Sequence, residues 1–321
     1  MGHKHFLHNL HLTILKQIKN MKRLLIASSS LISIIALLAM YWWNPSDQLI
    51  PENKLNPEFK THWNDGKAEL SSYKLQQARY GEIHEGEATM IFVTEPFSKS
   101  KQVKLDDYRN EKDKVNVLKL NAVRKFDTGI YPYSTMTSVF SPIEGNTQFL
   151  KTTTSVQEWC GQAFMQINRK GQKLKYVWYS YFESEGDKET TINSALAEDE
   201  IWNLIRMNPD VLPQGNIQLV PSSLFLRLKH YQPQVVAATA ELKKIKNKEF
   251  SPTEIFQYQV TYQQPEQRTL SIFFETAFPH RILGWKEIGR QTTTATLHKS
   301  IRLDYWSKHN VADRELKKLL W

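Results

Sequence analysis

Apolar and polar residues alternate with period two along most of this chain. The alternation is clearest at Phe256, Tyr258, Val260 and Tyr262, separated by Gln257, Gln259 and Thr261, which is the signature of a half-buried strand. A turn at Gln264-Pro265-Glu266-Gln267 separates it from Leu270–Phe274, and Ile282–Ile288 and Thr293–Trp306 continue the series. Short polar connections of this kind join antiparallel neighbours, so the pattern predicts a β-meander. Upstream, the same period predicts strands over Ala68–Leu75, Ala88–Thr94, Val115–Leu120, Ser134–Phe140, Phe149–Trp159 and Leu174–Phe182. One helix interrupts them: Ser194 is placed to cap it, and Leu196, Ile201, Leu204 and Ile205 form an apolar face ahead of Pro209. A second short helix closes the chain, with Asn310 as cap and Val311, Leu316, Leu319 and Leu320 on its apolar side.

The fold class these elements predict is mainly β (α+β). It is a curved antiparallel sheet or partly open barrel with one or two packed helices, placed after an N-terminal transmembrane helix. That last element comes from a different pattern. Leu24 to Trp43 carries no formal charge, and about 20 apolar residues suffice to cross a bilayer as a helix. Lys16, Lys19, Lys22 and Arg23 precede the run, while Tyr41, Trp42 and Trp43 suit the far interface, so the positive-inside rule sends the rest of the chain out of the cytoplasm. The apolar run exceeds that of a cleaved signal peptide, and Ala36 and Ala39 lack the Ala-x-Ala spacing; cleavage would instead leave a periplasmic or secreted protein. The domain expectation is therefore a basic cytoplasmic segment at 1–23, a membrane helix or signal-anchor at 24–43, a Pro-containing linker at 44–58, and an exported β-rich domain at 59–321.

Charge and composition narrow the function classes. The chain has 321 residues, 40% of them hydrophobic, and a formal charge of +9. Five basic residues and no acidic ones fall within residues 1–43, leaving 37 basic against 33 acidic residues beyond them. So balanced a domain has no electrostatic footprint for nucleic acid. Cys160 is the only cysteine, which excludes an internal disulfide and a lipid-bearing cysteine after the apolar run. His3, His5, His8 and His11 read as part of a short extension rather than as a metal tract. Nothing in the sequence implies a metal or a cofactor: no Gly-rich phosphate loop, nucleophile elbow or paired zinc motif appears.

Candidate chemistry is sparse. Trp159-Cys160-Gly161 lacks the second cysteine that thiol-disulfide exchange needs, and a Cys-His hydrolase would need His230, His280 or His298 beside Cys160. A lone cysteine in an apparent strand reads as a small buried apolar residue. Glu82-Ile83-His84-Glu85-Gly86-Glu87 reads as an exposed hairpin, and Glu183 to Glu189 as a solvated loop without the spacing of an EF-hand. Tyr131, Tyr133, Trp178, Tyr181 and Trp285 are candidates to line an apolar ligand cleft, although aromatics also fill sheet cores.

Several segments carry a resemblance: Trp63…Gly66-Lys67-Ala68-Glu69, Arg79-Tyr80-Gly81-Glu82, Ile91-Phe92-Val93-Thr94-Glu95, Ser155-Val156-Gln157-Glu158-Trp159-Cys160-Gly161 and Ser180-Tyr181-Phe182-Glu183-Ser184-Glu185-Gly186. Over Trp63 to Trp306 the chain resembles an uncharacterised family of exported bacterial β-rich proteins, some of which are labelled septum formation inhibitor Maf. Maf nucleotide pyrophosphatases use an N-terminal Ser-x-Arg-Arg loop, whereas Ser28-Ser29-Ser30 has no arginine pair after it. The C-terminal meander, with Phe278-Pro279-His280-Arg281-Ile282-Leu283-Gly284-Trp285 entering a strand, also looks like exported domains built as a curved sheet around a helix. The resemblance implies an envelope protein whose concavity takes a lipid or other apolar ligand, or whose surface takes a protein partner. The competing expectation is an envelope hydrolase using Cys160 and an adjacent histidine.

Overall fold

The computed structural model describes residues 55–106, 111–145 and 148–321. The segments 1–23 and 24–43, and residues 44–54 of the linker, lie outside the described residues. No helix among the described residues is long and apolar enough to cross a membrane.

Among the described residues, fifteen strands form one sheet. In chain order they are β1 (Ala68–Arg79), β2 (Glu82–Ser98), β3 (Lys114–Thr128), β4 (Tyr131–Pro142), β5 (Lys151–Glu158), β6 (Gly161–Lys170), β7 (Lys173–Ser180), β8 (Lys188–Asn193), β9 (Leu196–Ala197), β10 (Gly215–Val220), β11 (Val236–Lys246), β12 (Glu254–Tyr262), β13 (Arg268–Glu275), β14 (Ile282–Ile288) and β15 (Thr292–Leu303). The helices are α1 (Phe59–Trp63), α2 (Glu198–Met207) and α3 (Ser223–Lys229). Within the sheet the order is β8-β7-β6-β5-β4-β3-β2-β1-β15-β14-β13-β12-β11-β10-β9, antiparallel throughout except for the parallel pair β9–β10. Two meanders are therefore joined through β1 and β15, whose register runs from Ala68 opposite Leu303 to Gln76 opposite Thr294.

The edge strands β8 and β9 are consecutive in the chain, with only Ser194 and Ala195 between them. Four residues of extended chain span at most about 14 Å, so the two ends of the sheet order lie close together and the sheet is rolled. It is not closed, since β8 and β9 share no ladder. Arg169 of β6 spans this seam, donating to the Ser194 hydroxyl, the Ala195 carbonyl and the Phe149 carbonyl.

Helix α2 occupies the concavity and is buried on every side. Its apolar residues Ile201, Leu204 and Ile205 join the main core. Its polar residues reach strands in all directions: Glu198 to Tyr262 and Arg268, Asn203 to the Leu118 carbonyl and Ser141, Arg206 to Glu69, and Glu200 towards Arg169. Strands β6 and β12 stand nine spacings apart in the sheet, about 43 Å if it were flat. A helix is about 10–12 Å across, so only a rolled sheet lets one helix bond to both.

Most predicted strands are present, with shifted ends. Thr293–Trp306 stops as a strand at Leu303, and Trp306 sits in a 3-10 turn at Tyr305–Ser307. Trp159 leaves the predicted Phe149–Trp159 strand for the β5–β6 turn, and Tyr181 and Phe182 leave the strand that ends at Ser180. The first turn of α2 begins after Ala197, not Ser194. Leu196 and Ala197 are held in β9, and Glu200 Oε1 accepts from the Ala197 amide at 2.9 Å. The closing helix is a 3-10 helix over Val311–Leu319, with Asn310 and Asp313 forming its capping box.

Candidate functional site

Strand alternation brings one set of connections to a single rim: the hairpins β1–β2, β3–β4, β5–β6, β12–β13 and β14–β15, the β7–β8 loop, and α3. The β1–β2 hairpin turns through two residues, Tyr80 (φ 54°) and Gly81 (φ 88°), both left-handed as a tight twisted hairpin requires. Tyr80 is held there by its hydroxyl, 2.6 Å from the Tyr133 hydroxyl. This geometry sets the preceding residue, Arg79, at the edge of a cavity of about 520 Å³ that opens at the rim. The size lies within the range of small-molecule sites.

The cavity is amphipathic. Ala78, Trp202, Leu224, Phe225 and Leu228 supply apolar wall, contributed by β1, α2 and α3. Neutral polar and charged residues supply the rest, and most of the charged ones are paired across elements: Arg124 with Glu287 at 2.6 Å, Lys229 with Glu266 at 3.1 Å, and Arg268 with Glu198. Burial alone would raise the Glu287 carboxyl, but Arg124 and Arg268 outweigh it and hold the group below its ordinary value. The Tyr262 hydroxyl, buried and donating to Glu198 at 2.6 Å, is pushed well up by burial and by that carboxylate. Beyond Trp202 and Leu224 a smaller crevice of about 30 Å³ continues among Met90, Leu120, Val139 and Trp285.

Behind the cavity runs a buried polar chain. Asp199 accepts from the Ser223 amide at 3.0 Å and its hydroxyl at 2.5 Å; Ser223 then meets Thr154, and Thr154 meets Thr137. Burial raises the Asp199 carboxyl despite these donors. Ser223 is fully buried, so this chain fixes α3 against α2 and β5 rather than presenting a nucleophile.

Among the sequence candidates, Tyr133, Trp178 and Trp285 are core residues. Tyr133 stacks on Phe126 at 5.0 Å between ring centres, and Trp285 meets Tyr73 and Trp202 edge-on. Trp285 borders the small crevice, none of the five lines the 520 Å³ cavity, and Tyr181 lines a separate open groove of about 590 Å³. Tyr131 packs at 5.9 Å from Tyr133 and 6.4 Å from Trp159, and Tyr181 is exposed on the rim, packed over Gly161.

Two expectations need correction. Cys160 is exposed, because it belongs to the β5–β6 turn and not to a strand. Glu158 accepts from its amide at 2.6 Å and, through a hydrogen bond to the thiol, raises the thiol above its ordinary value. That shift opposes thiolate formation, and no histidine among the described residues hydrogen-bonds to the thiol. The stretch from Glu183 to Glu189 is not wholly solvated. Glu185 is buried, 3.2 Å from Arg227 and 2.5 Å from His230, and accepts from Ser180 at 2.5 Å. Its cationic partner Arg227 comes from α3 and His230 directly follows that helix, both too distant in sequence to be read from the loop itself. The Glu82–Glu87 segment does form a hairpin arm, with the turn at Tyr80-Gly81. Gly86 lies in the strand, where an added Cβ would fall 2.4 Å from the Lys125 carbonyl oxygen.

Sequence reasoning missed the cavity's charged residues. Arg79 stood in one of the resembling segments, yet the residues it faces come from β3, β13, β14 and both interior helices. No family model matches this chain, and no curated protein matches it. Among solved structures, it is similar to a beta-barrel-like protein of domain of unknown function DUF1849 from Brucella abortus, at 10% identity and a TM-score of 0.45, over 73% of this chain and 97% of that one.

Proposed function

We propose that this protein is a noncatalytic binding domain of the cell envelope, held in a membrane by residues 24–43 with its main domain outside the cytoplasm, and that it takes an amphiphile in the rim cavity. One observation carries the binding reading: a cavity of about 520 Å³ at the open rim of the rolled sheet, with an apolar wall from α2 and α3 and a charged mouth. The export reading rests on the uncharged run of 24–43 and the basic residues before it.

Native mass spectrometry of the full chain, purified from its own envelope in mild detergent, tests it. A stoichiometric amphiphile lost on Trp202→Arg, which fills and charges the apolar wall, is the expected result. Retention of detergent alone, displaced by no added amphiphile, refutes the reading. A second reading, a protein partner, is favoured by the exposed apolar tips on the same rim, where Ile130 is 86% and Trp159 69% exposed. Ile130→Ser/Trp159→Ser would then abolish an envelope cross-link while leaving ligand retention intact.

A further inference from the structure

Buried and partly buried arginines lining the core and cavity of this domain reach carboxylates. Arg124, Arg169, Arg206, Arg227 and Arg268 each form an ion pair, with Glu287, Glu200, Glu69, Glu185 and Glu198 respectively. Arg79 is the exception. It is partly buried, yet its guanidinium finds only neutral acceptors: the Leu228 carbonyl at 2.6 Å and the hydroxyls of Tyr80 and Tyr133 at 3.2 and 3.3 Å. Its Nε is buried with no acceptor among the described residues, as is that of Arg227, so what sets Arg79 apart is the lack of a carboxylate. The Tyr80 ring stacks at 4.3 Å and fixes the plane of the fork. No carboxylate among the described residues lies within ion-pair distance of Arg79 or of Arg290, the other unpaired arginine of the cavity, which sits exposed at its lip. A desolvated cation normally has a counter-charge, and a guanidinium held in place suits an oxyanion.

We propose that Arg79 binds the oxyanion head group of the amphiphile, a carboxylate or phosphate monoester, while the tail lies against Trp202, Leu224, Phe225 and Leu228. This inference rests on the cavity being the ligand site. The three internal ion pairs leave the mouth a surplus of positive charge from Arg79 and Arg290, so an anionic head is favoured over a neutral or cationic one. Arg290 contributes mainly to capture, because an exposed charge is screened by salt.

The test uses the full-length chain in zwitterionic nanodiscs, with empty nanodiscs as blank, and equilibrium dialysis of octanoate, octyl phosphate, 1-octanol and inorganic phosphate. At least one of the two anionic amphiphiles should bind about 10- to 100-fold more tightly than 1-octanol, the range expected when a charged hydrogen-bonding group is supplied to a fixed cation. Arg79→Gln should remove that preference by weakening the anionic probes far more than 1-octanol, and Arg79→Lys should restore part of it. A wild-type circular dichroism spectrum and a cooperative melt show that Arg79→Gln still folds. Equal binding of all three octyl probes overturns the head-group assignment while sparing the cavity reading. Preference surviving in Arg79→Gln assigns the anion elsewhere and overturns it too. Inorganic phosphate binding as tightly as octyl phosphate also overturns it, since the tail would then contribute nothing. If no octyl probe is retained, the cavity reading itself fails and takes this one with it.

Discussion

Glu69→Gln tests whether the pair beneath α2 holds the helix inside the sheet. Arg206 is fully buried, donates to Glu69 Oε1 at 2.5 Å and Oε2 at 2.7 Å, and gives its Nε proton to the Pro279 carbonyl at 2.9 Å. Its guanidinium also lies over the Phe92 and Trp63 rings, at 4.7 and 5.1 Å. In the glutamine variant one guanidinium N–H keeps an oxygen, and the other faces an amide N–H₂ at a site where both side chains are closed to solvent. An unneutralised charge left in the interior costs about 3–5 kcal/mol. For a large single domain, that is a fall of about 6–20 °C in Tm. Circular dichroism melts of the wild type, Glu69→Gln, Arg206→Met and the double variant form the cycle. Each single variant should lose several kcal/mol, and the double variant, which removes both charges, should recover most of it. A Glu69→Gln melting within 2 °C of wild type would falsify the idea that this pair anchors the helix.

Acid stability follows from the same pair. Burial would raise the Glu69 carboxyl, but Arg206 overrides it and holds the folded value below the ordinary one. Its contribution is therefore complete above the unfolded-state value, about 4.3, and is lost as pH falls through the lower folded value. Denaturant titrations from pH 7 to pH 3 should show the double variant Glu69→Gln/Arg206→Met losing less stability below pH 4.3 than wild type; parallel losses would remove Glu69 as the cause. Gly86→Ala should destabilise by about 1–3 kcal/mol, because its Cβ would meet the Lys125 carbonyl oxygen at 2.4 Å and the Phe126 Cβ at 2.7 Å. An unshifted denaturation midpoint would contradict that close approach. Cys160 should react with a maleimide in the native state, and Glu158→Gln should accelerate the reaction at fixed pH by lowering the thiol pKa. Equal rates would show that the Glu158 carboxylate does not act on the thiol.

Period two made much of this fold legible. Ile282–Ile288 is a strand at its predicted bounds, and Tyr258, Val260 and Tyr262 face the core as their spacing requires. Of the strands not predicted, β11 carries small inward residues, Ala238 and Ala240, which bury little area and give a weak signal, whereas β6 and β10 bury Met165, Ile167, Ile217 and Leu219 in runs too short or mixed to show a clear period. Enclosure of α2 was legible only as an apolar face, because Glu198, Asp199 and Glu200 look like a solvated first turn until Arg268, Ser223 and Arg169 are brought to them. The site was harder still. Aromatic content pointed to Tyr133, Trp178 and Trp285, and large rings in alternating strands went where most such rings go, into the core. Arg79 is distinguished by the lack of a counter-charge among the described residues, and such a lack across strands distant in sequence leaves no mark on the sequence itself.

The β1–β15 ladder has a kinetic consequence. Every other antiparallel ladder joins strands adjacent in the sequence, and this one alone ties the beginning of the sheet to its end. The two meanders can form from local contacts, but the cradle around α2 exists only after the longest loop in the domain has closed. A circular permutant opened between Ser194 and Ala195, with Trp321 joined directly to Leu55 so that β15 leads back into β1 by a short connection, would make that step local. The entropy of loop closure would fall by about 2 kcal/mol, so refolding limited by this ladder should accelerate by about one order of magnitude or more, measured by stopped-flow tryptophan fluorescence. An unchanged rate would mean that the halves meet early, and that packing α2 into the concavity is the slow event.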